Sequence, residues 1–135
     1  MNTITVDLFE YKKGSSPDIL EALPGPCLAI CFYHAKSKSG YMGLMPLPQS
    51  SRMWNELITV VTDEHKPGEL EVTLTGMSIN PEFEDAKDVR QGRVYIEDFL
   101  RKHKFTNVKK RYSNSILGRL THFELSTGKV VLKYR

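Results

Sequence analysis

Polar and apolar residues alternate over Thr3-Ile4-Thr5-Val6-Asp7-Leu8-Phe9, the period of a half-exposed β-strand. Lys12-Lys13-Gly14-Ser15-Ser16-Pro17 reads as a loop, and Asp18 to Leu23 is too short to assign. Pro24-Gly25-Pro26 breaks the chain and delivers Cys27 into a nearly continuous apolar run ending at His34. Such a run predicts a strand covered on both faces. A short charged turn follows, and Gly40 to Pro48 returns beside it as a second strand. Met53, Trp54, Leu57, Ile58, Val60 and Val61 recur at helical spacing between Ser51 and His65, and Lys66-Pro67-Gly68 stops that helix. Glu69 to Met77 alternates again and predicts a strand.

Asn80-Pro81 begins a second helix, because Asn caps and Pro fits the first helical position. It is expected to run to Lys104. Glu82, Glu84, Asp85 and Asp88 early, with Arg101, Lys102 and Lys104 late, complement the helix dipole. Gly92 inside it costs about 1 kcal/mol relative to alanine, so the first turns are expected to be irregular. The last third reads as strands over Val108–Tyr112, Leu120–Leu125 and Val130–Tyr134, with Ser126-Thr127-Gly128-Lys129 as a turn. Helices interleaved with hairpins imply mixed sheets with helices packed outside, an α/β arrangement.

Composition narrows this only a little. The 135 residues suit one domain spanning residues 1–135, able to bury roughly two thirds of its unfolded surface. An apolar share of 40% and a charged share of 26% exclude a disordered chain. No run approaches the ~18 apolar residues of a membrane span. The N-terminus lacks the basic-then-apolar pattern of a secretory signal, so the expected compartment is the cytoplasm. Cys27 and Cys31 lie four apart on one strand face, ~13 Å from each other. A disulfide needs Cα atoms within about 7 Å, so both thiols should be free. Two sulfurs without an adjacent histidine pair also make a poor zinc site, and no metal is expected.

Charge is more telling. Residues 101–135 hold ten Lys/Arg against one acid, Glu124, a net of +9, whereas residues 1–100 carry −6. Such a split signals an acidic partner or nucleic acid, or else edge strands guarded by lysine.

The hairpin carries a likeness to a known family. Cys27, Ala29, Cys31, Gly40, Met42 and Pro48 fall without a gap on the thiol hairpin of the chemoreceptor glutamine deamidases, the CheD family. Gly118-Arg119, Phe123, Leu125 and Thr127-Gly128-Lys129 resemble that family's final hairpin. The resemblance implies a layered α/β/β/α sandwich with mixed β-sheets and outer helices. It implies a protein-glutamine amidohydrolase with Cys27 as nucleophile, and no cofactor. Its partner would be a protein, a chemoreceptor or a CheC-like phosphatase. Arg119 is then a candidate for binding a carboxylate, and His122 stands on a strand that the family packs near the thiol.

Three positions depart from that pattern. Leu44 stands where the family has its histidine, no hydroxyl falls near Glu21-Ala22-Leu23, and Pro26 removes a peptide N–H just before the thiol. Thiol hydrolysis of an amide needs a base to form the thiolate and an acid for the departing ammonia. A positioned histidine contributes ~10²–10⁴ in rate. His34, seven residues along the same strand, faces the other side ~23 Å away. His65 and His103 fall at helix ends, where structural roles are expected. Two readings therefore compete: a CheD-like deamidase with impaired catalysis, and a non-catalytic protein-binding or regulatory module on the same fold. A nucleic-acid interface on the basic third rests on charge alone and ranks last.

Overall fold

The computed structural model describes residues 2–79, 86–113 and 119–134. In chain order they form β1 (Thr3–Thr5), β2 (Glu10–Ser15), β3 (Ile19–Ala22), β4 (Leu28–His34), β5 (Ser39–Met45) and α1 (Arg52–Glu64). Then come β6 (Glu71–Gly76), α2 (Ala86–Lys102), β7 (Asn107–Tyr112), β8 (Arg119–Glu124) and β9 (Val130–Tyr134). Four strands make one sheet in the order β1-β3-β8-β9, and five make another in the order β2-β5-β4-β6-β7. Each sheet contains one parallel pair, β1 with β3 and β6 with β7, and is otherwise antiparallel. Both are therefore mixed, as the alternation of helices and hairpins predicts.

The pleat of β4 sorts the core into two layers. Leu28, Ile30 and Phe32 face α1 and α2, joining Trp54, Leu57, Ile96 and Leu100. Ala29, Cys31 and Tyr33 point the other way, onto Leu20, Ala22 and Phe123 of the four-stranded sheet. This central strand is apolar on both faces because both faces are covered. Both described helices lie on one flank of the five-stranded sheet, and no second helical layer occurs among the described residues. Neither helix is long and apolar enough to cross a membrane.

Local chemistry explains most boundaries. Ser51 caps α1, its hydroxyl accepting from the Trp54 N–H at 3.4 Å, and His65 ends the helix with its N–H on the Val61 carbonyl. The expected start of α2 at Asn80-Pro81, with Glu82, Glu84 and Asp85, lies outside the described residues, as does Gly118. Two N-terminal expectations are corrected. The stretch from Lys12, read as a loop, belongs to β2, an edge strand paired along its length with β5. Its lysines suit an edge that packs only one side and meets water on the other. The strand expected over residues 3–9 ends at Thr5, and Phe9 turns the chain at φ 65°.

Candidate thiol site

Cys27 sits one residue before β4, held by its backbone on both sides. Its N–H donates to the Pro24 carbonyl at 2.8 Å, and its own carbonyl accepts from the Met77 N–H at 2.8 Å. Gly25, at φ 54°, shapes this turn, and Gly76, at φ 78°, lets the end of β6 approach it. A Cβ on Gly76 would lie 2.3 Å from the Cys27 carbonyl oxygen, so only glycine fits. The Pro-Gly-Pro turn is thereby stapled to the five-stranded sheet. Cys27 is half-buried at the rim of the inter-sheet layer, and Cys31 is fully enclosed within it. Neither forms a disulfide, and both lie on one face. Burial pushes the Cys31 thiol up, which leaves it protonated and inert.

Leu44 belongs to the same layer. It pairs with Ala29 across the β4–β5 ladder and is 5% exposed among Ala29, Cys31 and Phe123. The four histidines all have other engagements. His34 and His65 stack at 4.2 Å at the far end of β4, on the helix side. His103 stacks on Phe99 just beyond α2. The Nδ1 of His122 lies 2.6 Å from Glu21 Oε2, and its Nε2 lies 3.6 Å from Glu124 Oε1. Along β8, Thr121 and Phe123 face the other sheet, so His122 faces outward with Glu21 and Glu124.

Cys27 is tied by its backbone to the neighbourhood of Arg119, through Pro24 and the end of β6, and His122 stands on the opposite side of its sheet. Arg119 lines a crevice with Pro24, Gly25, Gly76, Ser113, Thr121 and Leu132. Its free volume is about 10 Å³, room for about one water. Deeper in, the Thr75 hydroxyl lies 2.8 Å from that of Thr121 and donates to the Ala29 carbonyl at 3.3 Å. A larger hollow of about 580 Å³ lies elsewhere, between Phe9–Tyr11 and the start of α1. A guanidinium cannot serve as a base, and threonine hydroxyls stay neutral. The site can order a small polar group; the imidazole that thiol catalysis relies on is not supplied to it by any of the four histidines.

No protein-family model matches the chain, and no curated protein matches it. Solved structures do. A Neisseria meningitidis protein, NMB0706, of family DUF152, superposes with a TM-score of 0.61 at 8% identity, over 87% of this chain and 65% of its own. The fold is DUF152-like. A Bacillus licheniformis protein, YfiH, is similar over 77% of this chain and 50% of its own, at 6% identity and a TM-score of 0.48. The chain thus spans 65% and 50% of these two neighbours' lengths.

The likeness to NMB0706 supports a DUF152-like fold and lends no support to the CheD assignment suggested by the hairpins. The geometry gives two of the shared glycines a structural reason of their own. A Cβ on Gly40 would lie 2.7 Å from the Phe32 carbonyl oxygen and 2.8 Å from Leu125 Cδ2. Gly128 turns at φ 78° with the Tyr33 ring 2.4 Å from where a Cβ would stand. Both shared glycines are demanded by two sheets in close contact, whatever reaction the fold hosts.

Thr75 and Thr121 are the residues sequence reasoning missed. Each sits at an inward position of an alternating strand, where a buried hydroxyl needs a partner. The alternation over Glu69–Met77 puts Thr75 on the polar face of its strand; that the other sheet covers this face, and that Thr75 meets Thr121 there, could be seen only in three dimensions.

Proposed function

We propose that this chain is a partner-binding module on the DUF152-like fold, without amide hydrolysis. The observation that supports this most is Leu44, which fills with hydrocarbon the place where the resemblance expects the thiol's histidine. The narrow crevice beside the Pro24-Gly25 turn that leads to Cys27 agrees, since a glutamine side chain needs far more room than one water. Such a module retains a folded platform and recognises a protein through its surface. Ammonia release from glutamine-bearing proteins tests the reading. The expected rate is no higher with the native chain than with Cys27→Ser. Cys27 should also alkylate at pH 7 no faster than free cysteine.

A second reading keeps Cys27 as a nucleophile toward a protein glutamine, with Arg119 orienting the substrate. It is favoured by one contrast, the half-exposed Cys27 beside the enclosed Cys31. Ammonia release abolished by Cys27→Ser would establish it and overturn the first.

A further inference from the structure

β7 is the last strand of the five-stranded sheet, parallel to β6, and among the described residues nothing pairs with its outer edge. An edge strand offers unpaired N–H and C=O groups to any extended chain that fits. Its side chains divide by pleat. Val108 and Tyr112 pack toward α2, and Lys110 reaches Glu97 at 3.0 Å on that side. Lys109 and Arg111, in register with Thr73 and Thr75, stand on the face toward the other sheet. The Arg111 guanidinium donates to the Val130 carbonyl of β9, so the margins of the two sheets meet here.

The charges near this margin are only partly matched by described acids. Lys12, Lys13, Arg101 and Lys110 each pair with a carboxylate. Lys109, Lys129 and Lys133, all exposed, make no ion pair with a described acid. On the helix side, Arg101, Lys110 and the acid Glu97 line a groove of about 230 Å³ together with Phe105 and Val108. A chain laid along β7 would therefore meet cations on both of its faces.

Resting on the partner-binding reading, we propose that β7 docks an extended acidic protein segment, which joins the sheet as an added strand. Main-chain hydrogen bonds give affinity in this mode, and alternate side chains give selectivity. Acidic side chains are what Lys109 and Arg111 select on the face toward the other sheet, while Lys110 on the helix side already pairs with Glu97. Lysines on an edge also deter self-association, but that role does not need Lys129, which precedes the Val130 that Arg111 touches. Nucleic acid fits less well, because single strands bind on exposed aromatic platforms. The aromatic of β7, Tyr112, is half-buried, bonded to Glu97 and covered by Arg93.

The test uses the full chain and a fluorescein-labelled twelve-residue peptide of alternating Glu and Thr. Comparison probes carry Gln for Glu, or Pro for every other Thr, and a twelve-nucleotide thymidine strand completes the set. Binding is read by anisotropy and by amide exchange. The Glu-Thr peptide should bind and slow exchange along β7, while the Gln and Pro peptides bind at least tenfold more weakly. Lys109→Glu with Arg111→Glu should lower affinity at least tenfold, Lys109→Gln with Arg111→Gln should lower it in the same direction, and Lys36→Glu, on a distant turn, should not. No binding, equal binding of the Pro peptide, tighter binding of the thymidine strand, or unchanged β7 exchange overturns the proposal. Cys27-dependent ammonia release would overturn the underlying reading instead, so the two failures are separable.

Discussion

Gly40 faces the Phe32 carbonyl on one side and Leu125 and Phe123 on the other, with no space for a methyl group. Gly40→Ala should lower stability by about 3 kcal/mol, because backbone on one side cannot yield. Gly68→Ala, with nothing near its Cβ, should change it by less than about 1 kcal/mol. Urea midpoints of the two variants check the contrast. Leu44→His puts an imidazole among apolar neighbours and should cost about 3 kcal/mol without producing ammonia from a glutamine substrate. A gain of ammonia release would show that the missing imidazole alone had silenced the site. At this scale the sequence was legible in letters but not in reasons. Cys27 was singled out by its place after Pro-Gly-Pro, and it is half-buried there. Gly40 and Gly128 were read as family marks, when contact between two sheets accounts for them.

At the scale of elements, α1 was readable because its signals are local: a serine cap, six apolar residues at helical spacing and a Pro-Gly stop. β2 was not, because its strand character comes from pairing with β5, thirty residues away in sequence. The C-terminal end of α1 carries a testable pH dependence. His65 stacks on His34 and contacts the Tyr41 ring, and Lys13, Glu64 and Glu69 complete its charged surroundings. Burial first, and His34 second, hold His65 below its ordinary 6.5. The unfolded chain therefore takes up this proton before the folded one does. Stability from this group is full above about pH 6.5 and falls as pH drops through the lower folded value. Urea midpoints of the native chain should decline between pH 7 and pH 5, and His65→Gln should flatten that decline. Glu64, held below its usual range by hydrogen bonds from Lys13 and Tyr41, adds a separate loss only below about pH 4.5.

Across the whole molecule, the two sheets are joined by hydrocarbon and by a few hydrogen bonds, among them the buried Thr75–Thr121 hydroxyl pair. Thr121→Val should cost about 1 kcal/mol, because Thr75 loses a partner inside the core. Thr75→Val together with Thr121→Val should cost less than the two single changes added, and a double-mutant cycle measures the coupling. Equal, additive losses would mean that the hydroxyls act independently. The α/β class was legible because periodicity reports which faces are covered. Which sheet each strand joins was not, since that is decided by contacts far apart in sequence.

One such contact bears on synthesis. Glu21 and His122 are neighbours in the four-stranded sheet although 101 residues separate them. A ribosome adding about 5–20 residues per second leaves β3 waiting roughly 5–20 s for β8. Through that interval the nascent chain shows water Leu20 and Ala22, which the finished protein hides. Whatever keeps the newborn polypeptide from clumping must act on its first quarter, before the last strands exist to shelter it.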